Sequence, residues 1–262
     1  LILAATRAFL SCFKNDSRER VKALIPILSA IKEATLHFVS VNSTYYNKSQ
    51  PLTKAVFAFV RHQDTVLKQP KQAMRQAVKT LRTSLDIPAL SSAICKRIEE
   101  SGLLVTAQKV CIYYPLADEI DLLPLLQTYP DIEWSFPKTV QSEKGPQILF
   151  YPIDHRTQFI PGAFGVLEPT EFWPALIDFS AVDFILMPGM AYDVSGNRLG
   201  YGKGMYDQFF KWLETRSSEM QFKGKRIGSC PEATLFESLP ADPWDVKAEL
   251  LYTENAVYQF ED

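Results

Sequence analysis

From Lys71 onward the apolar positions fall into two rhythms. Met74, Val78, Leu81 and Leu85 recur at three- and four-residue steps, which predicts a helix with one apolar face. Ser91 or Ser92 can cap a second helix that runs through Ile94 and Ile98, with Gly102 placed to end it. Val110-Cys-Ile-Tyr-Tyr114 is an unbroken apolar run closed by Pro115 and reads as a buried strand. A short helix over Asp121–Tyr129 carries Pro124 in its first turn. Ile132–Phe136 alternates like a strand and stops at Pro137. Ile148–Tyr151, Val182–Met187, Arg226–Cys230 and Glu249–Tyr252 complete the strands, and a helix from Met205 to about Arg216 follows the fourth of them. Strands that are apolar throughout alternate with helices. That order predicts an α/β fold of three layers, a mostly parallel sheet with helices on both faces.

Residues 1–70 do not share this regularity. Leu1-Ile-Leu-Ala-Ala-Thr-Arg-Ala-Phe-Leu10 lacks acids and weakly resembles a targeting segment, yet no cleavage pattern follows. Val21–Ala34 has helical spacing, and Asn42–Pro51 is polar and loop-like. The first methionine is Met74. We expect an N-terminal extension over 1–70, outside the catalytic fold, and a catalytic domain over 71–262. Charge divides at the same place. The net charge is −2, but residues 1–70 carry ten Lys and Arg against four Asp and Glu, whereas the remainder is acidic. The extension is read either as a passenger or as a basic interaction arm. It lacks the interleaved aromatic and basic residues that stack on single-stranded nucleic acid.

Composition narrows the chemistry. At 47% hydrophobic the chain can bury a sizeable core, and no apolar stretch approaches the ~18 residues that span a bilayer. Cys12, Cys95, Cys111 and Cys230 are widely spaced, with no C-x-x-C pair, so neither a disulfide framework nor a zinc site is expected. His37, His62 and His155 lie far from the glycine cluster described next. The expectation is a cytoplasmic protein, a monomer or weak dimer, with small-molecule ligands and neither nucleic-acid nor membrane partners.

Five of the eleven glycines fall in Met187-Pro-Gly-Met-Ala-Tyr-Asp-Val-Ser-Gly-Asn-Arg-Leu-Gly-Tyr-Gly-Lys-Gly-Met-Tyr-Asp207. A strand, a glycine loop and a helix start in succession can aim backbone amides at a phosphate. The spacing matches neither G-x-x-x-x-G-K-[ST] nor G-x-G-x-x-G. Gly200, Gly202 and Gly204 alternate with Tyr201 and Lys203. Lys203 offers a point charge, Arg198 a fork for phosphate oxygens, and Asp207 a carboxylate for Mg²⁺. The competing reading is a turn that only tightens a strand–helix junction.

Other constellations are less specific. Lys71 and Arg75 share a helix face opposite Met74 and Val78, either as a pair for one polyanion or as a solvated basic face. Tyr114 and Glu119 follow the carboxyl end of a strand, where open α/β sheets bind ligands. Glu119 can accept from a heterocycle, or Asp118, Glu119 and Asp121 can simply mark a helix start. Glu168, in Pro161-Gly-Ala-Phe-Gly-Val-Leu-Glu-Pro169, can orient a ligand or an arginine, or hold a turn. Asp245 is a second candidate metal carboxylate or a turn residue.

Taken together these segments resemble the 5-formyltetrahydrofolate cyclo-ligase family, also called methenyltetrahydrofolate synthetase. The glycine segment is the specific part. Lys71-x3-Arg75, Tyr114-Pro-x3-Glu119, Pro137-Lys138, Gly165-Val-Leu-Glu-Pro169, Leu239-Pro240-x4-Asp245 and Tyr252-Thr-Glu254 follow the family's order. The resemblance implies a Rossmann-like fold of the CoA-transferase kind. It also implies ATP- and Mg²⁺-dependent closure of 5-formyltetrahydrofolate to 5,10-methenyltetrahydrofolate, with release of ADP and phosphate. On this likeness Lys71, Arg75, Arg198, Leu199, Gly200, Tyr201, Gly202, Lys203, Gly204, Met205 and Tyr206 would bind ATP, with Lys203 and Arg198 catalytic. Asp207 and Asp245 would hold Mg²⁺, and Tyr114, Glu119, Tyr201 and Met205 would meet the folate. Two departures stand out. Met205 replaces a tyrosine common in relatives, and the segment up to Thr234 lacks the glutamine usual before the leucine-proline pair. They keep open a second reading, a relative that binds nucleotide or folate without turnover. Fold analogy alone would allow an isomerase or acyl-transferase.

Overall fold

The protein is described by a computed structural model over residues 71–143 and 145–260. The chain divides into two units, 1–68 and 69–262, and the described residues belong to the second. The expected extension, its helix over Val21–Ala34 and its loop over Asn42–Pro51 lie outside the described residues, as do Cys12, His37 and His62.

Seven of the twelve strands among the described residues form the central sheet, in the order Val257–Gln259, Leu250–Tyr252, Lys225–Ser229, Phe184–Met187, Lys109–Cys111, Glu133–Ser142 and Gly145–Pro152, while β4 (Phe159–Pro161) and β5 (Leu167–Pro169) pair apart from it. Its inner members, β1 (Lys109–Cys111), β2 (Glu133–Ser142), β6 (Phe184–Met187), β9 (Lys225–Ser229) and β11 (Leu250–Tyr252), pair parallel throughout. Antiparallel partners close both edges, β3 (Gly145–Pro152) beside β2 and β12 (Val257–Gln259) beside β11. Parallel strands need crossovers, and these cover both faces. On one face the helix Ile87–Glu100 and the short helix Pro124–Thr128 bury Ile94, Ile98 and Leu125 with Trp134. On the other, the helix Met205–Glu214 buries Phe209, Phe210 and Leu213 with Phe150 and Phe179, rings meeting edge to face. The three-layer expectation holds.

Three local readings are corrected. Ser91 and Ser92 lie inside the second helix, which starts at Ile87. Asp86 caps it by accepting from the Ala89 N–H at 3.1 Å, and Pro88 fits the first turn, where no N–H bond is needed. Gly102 does follow the helix in a left-handed conformation. Strand β2 does not stop at Pro137. The Ser135 carbonyl bonds toward Ile112, on the β1 side, and the Trp134 carbonyl toward Ile153, on the β3 side. Pro137 therefore points its missing donor toward the β1 side, beyond the last residue that β1 pairs. Finally, a hairpin separates the strand β6 from the glycine turn.

That hairpin consists of β7 (Ala191–Asp193) and β8 (Arg198–Leu199), extended by β10 (Leu235–Phe236) into a small sheet. Asp193 is buried and ties its turn. The carboxylate accepts from the Ser195 and Asn197 N–H groups, the Asn197 side chain and the Leu239 N–H, all at 2.8–3.0 Å. Gly196 at the tip has φ 79°, and its carbonyl accepts from the Ala248 N–H at 2.9 Å. A Cβ at Gly196 would lie 2.6 Å from the Ala248 oxygen, so no larger residue fits.

Candidate active site

Residues 200–204 leave the hairpin and enter the helix Met205–Glu214 at the carboxyl end of β6. Gly202 (φ 95°) and Gly204 (φ 64°) adopt conformations that side chains disfavour. Gly204 is the N-cap, and no side chain caps this helix. None of the five main-chain N–H groups of residues 200–204 donates to another described residue. A run of free donors, continued into an uncapped helix N-terminus, attracts anions.

Cations surround the turn. The Arg75 Nε donates to the Gly200 carbonyl at 2.7 Å, and its guanidinium lies so close to Gly202 that a Cβ there would sit 3.1 Å from it. Arg198 is almost buried, donating to the Pro188 carbonyl and to Asp207 Oδ1, each at 3.2 Å, with its guanidinium 5.4 Å from the Tyr206 ring centre. Its Nε has no partner in this structure. Lys203 is exposed, its ammonium 5.0 Å from the Phe164 ring centre. Lys71 and Arg75 occupy a helix over 71–82, but their face is not solvated as one reading expected. Lys71 is largely covered and bonds Asp242 at 2.8 Å and Asp245 at 2.5 Å. Burial pulls its pKa down, and the two carboxylates more than reverse this, leaving it above the ordinary lysine value.

The expected metal carboxylates lie on either side of one backbone segment. Asp207 Oδ1 accepts from the Val246 N–H, next to Asp245. No described residue bonds Asp207 Oδ2, which a Cβ at Gly204 would approach to 3.9 Å, so this oxygen lies along the turn. Asp245 Oδ2 is taken by Lys71 and the Asp242 N–H. Among the described residues no group of three or more His, Cys, Asp and Glu side chains is assembled. Two carboxylates beside a turn of unbonded N–H groups still fit Mg²⁺, which binds through one or two carboxylates plus phosphate oxygens and water.

Tyr114 and Glu119 line a cavity of about 810 Å³ between the helix Ile87–Glu100 and the segment 114–124, together with Ser92, Lys96, Glu99 and Leu116. Glu119 is buried and accepts from the Leu116 N–H at 2.8 Å. Burial pushes its carboxyl up to about 7, against that hydrogen bond and the charges of Arg82 and Arg198. The acidic helix-start reading fails for Asp118 and Glu119, because the short helix begins only at Pro124, whereas Asp121 does accept from the N–H of Leu123, the N-cap residue, at 2.9 Å. Tyr201 and Met205 do not line this cavity. Tyr201 reaches toward it, donating to Asp118 at 3.0 Å, whereas Met205 packs partly against the core. The side chains of Leu199 and Tyr206 are also buried, so only their backbones are available to a nucleotide. Glu168 holds a turn, accepting from the Ala163 and Thr139 N–H groups.

Three residues were missed in the sequence. Asp242 pairs with Lys71, Phe164 faces Lys203, and Arg82 donates to the carbonyls of Gly189 and Met190 at 3.1 and 3.0 Å while fully buried. Phe164 sits at φ 58°, the one non-glycine residue of positive φ among those described. Arg82 carried a signal, since it falls one step after Leu81 on the face that Val78 buries. Cys95, Cys111 and Cys230 are buried free thiols, and burial raises all three.

Comparison with known proteins identifies the family. Residues 67–254 match the model of the 5-formyltetrahydrofolate cyclo-ligase family. A probable 5-formyltetrahydrofolate cyclo-ligase of Caenorhabditis elegans is 23% identical, with 75% of this chain and 98% of that protein aligned. The mitochondrial 5-formyltetrahydrofolate cyclo-ligase of Arabidopsis thaliana is 26% identical over 74% of this chain and 77% of its own length. Among solved structures, the 5,10-methenyltetrahydrofolate synthetase of Aquifex aeolicus superposes with a TM-score of 0.61 at 32% identity, covering 73% of this chain and 93% of that one. A family match over most of the chain, on a fold whose glycine turn keeps its donors open, leads to one conclusion: the chain belongs to the 5-formyltetrahydrofolate cyclo-ligase family.

Proposed function

We propose that the protein closes 5-formyltetrahydrofolate to 5,10-methenyltetrahydrofolate at the expense of ATP. The observation that carries this reading is the run of five unbonded main-chain donors at residues 200–204, ringed by Arg75, Arg198 and Lys203. Family membership supplies the substrate class.

A formamide oxygen is a poor leaving group. In this reading the formyl oxygen attacks the terminal phosphorus of ATP and ADP departs. The lone pair of N10 then attacks the activated formyl carbon, the N10 proton is lost to solvent, and phosphate leaves as the ring closes. Such a transfer needs positioning and charge neutralisation more than a strong base. The turn's N–H groups hold the phosphates in place. Arg198 and Lys203 carry positive charge to where negative charge develops. Asp207 Oδ2 and Asp245 are the groups that would hold Mg²⁺, which supplies further neutralisation of the phosphate oxygens when bound. Glu119 and Tyr114 would receive the folate, the carboxyl accepting from ring N–H groups and the phenol ring packing against the heterocycle.

The test is an absorbance assay for the methenyl product with the purified protein, 5-formyltetrahydrofolate, ATP and Mg²⁺. Product growth that requires all three additions supports the reading. Tight binding of ATP and folate with no product would instead make the chain a binding relative without turnover.

A further inference from the structure

The carboxylate that would serve the cation is held by the cation that would serve the nucleotide. Lys71 Nζ lies 2.8 Å from Asp242 Oδ2 and 2.5 Å from Asp245 Oδ2. The Asp242 N–H donates to that same Asp245 oxygen at 2.8 Å, and the Asp245 N–H returns to the Asp242 carbonyl at 3.0 Å. The Asp242–Asp245 turn is thus a pincer closed on one ammonium, Asp242 forming its outer, 40% exposed jaw and Asp245 its covered one.

Either ligand arriving alone meets a cost. A triphosphate must draw Lys71 from two carboxylates and then lies beside both of them unneutralised. A divalent cation must take Asp245 from Lys71 and then lies beside an ammonium that Asp242 still holds there. Arriving together, they exchange partners: Lys71 turns to phosphate, Asp245 to the cation, and only the outer, exposed Asp242 is released, to water. We propose that Asp242 is a positioning residue that makes nucleotide and divalent-cation binding depend on each other, by holding Lys71 against Asp245 until both ligands are present. This coupling rests on the ATP and Mg²⁺ reading of the site, and it is reciprocal, as any thermodynamic linkage must be.

The experiment is calorimetric titration of the full chain with ATP, once with Mg²⁺ and once with a chelator, for the parent and for Asp242→Ala. The alanine keeps the backbone N–H that supports Asp245 and removes only the outer jaw. The ratio of the two dissociation constants is expected to fall by roughly fivefold or more in the variant, chiefly through tighter binding without Mg²⁺. If Asp242 merely adds negative charge near the phosphates, both affinities rise alike, the ratio stays put, and the proposal is overturned. If neither protein binds ATP with Mg²⁺ present, the nucleotide reading itself falls, and the coupling with it. A second arm uses Mn²⁺ alone, followed by paramagnetic relaxation of water. Lys71→Met should bind it several-fold more tightly than the parent, and equal or weaker binding counts against the pincer.

Discussion

The Lys203 ammonium and the Phe164 ring lie 5.0 Å apart, so the glycine turn and the 161–169 loop meet face to face across one cation–π contact. Lys203 makes no ion pair among the described residues and is exposed. A lysine in that state contributes little to the fold and is available to a phosphate.

Replacing it should therefore separate activity from stability. Lys203→Ala is expected to lower kcat/KM by about 100-fold, roughly 3 kcal/mol of transition-state stabilisation, with the melting temperature within a degree or two of the parent. Parallel rate and thermal-melt measurements decide this. A rate near that of the parent removes Lys203 from the site.

Asp207 has a different balance. Asp207→Asn keeps an oxygen that can accept from Arg198 and the Val246 N–H, so the fold should persist. It loses the charge of the oxygen along the turn. The Mg²⁺ concentration needed for half-maximal turnover should rise by roughly tenfold or more. A Mg²⁺ titration of the initial rate measures it, and an unchanged midpoint excludes Asp207 as a ligand.

Gly202 is constrained twice, by its φ of 95° and by the guanidinium of Arg75. Gly202→Ala should cost about 1–2 kcal/mol of stability and also weaken ATP binding, because Arg75 must give way. Gly145 is the control. Its φ is 105°, but a Cβ there meets nothing within 4 Å. Gly145→Ala should show the stability loss with ATP affinity intact.

The buried carboxyl of Glu119 predicts a pH effect whose sign follows from linkage. As pH rises, the unfolded side chain loses its proton near 4.5, whereas the folded one keeps it to about 7. Between those values the folded state binds more protons, so this group lowers stability as pH rises through the window, and the deficit is constant above it. Glu119→Gln should match the parent at pH 4 and exceed it by up to about 3 kcal/mol at pH 8. Denaturant midpoints at the two pH values test this, and a gain of equal size at both would show that the carboxyl titrates normally.

Much of the architecture was visible in the spacing of apolar residues, because a strand buried on both faces can be little else. The inner strands are of that kind, and they were placed to within a few residues. Pro137 was misread because a proline's effect depends on which side of the strand its nitrogen faces, and that is fixed by the neighbour's length. Asp86, two positions before Pro88, carries a stronger cap signal than Ser91. The Ser91 hydroxyl instead bonds the Ile87 carbonyl and receives the Asp121 N–H. The glycine turn was legible from residue type alone, since φ values of 64° and 95° favour glycine. The hairpin before it was not, because β7 and β8 are three and two residues long and carry no period. Asp242 and Phe164 escaped notice because their importance lies in partners 171 and 39 residues away. Sequence neighbours say nothing of such pairings.

The union of Lys71 with Asp242 and Asp245 spans 171 and 174 positions of chain. During synthesis on the ribosome, the lysine emerges long before its carboxylates. The hairpin tip likewise waits for Ala248. A nascent chain can thus pair β1, β2, β6 and β9 before either carboxylate that grips Lys71 has been made.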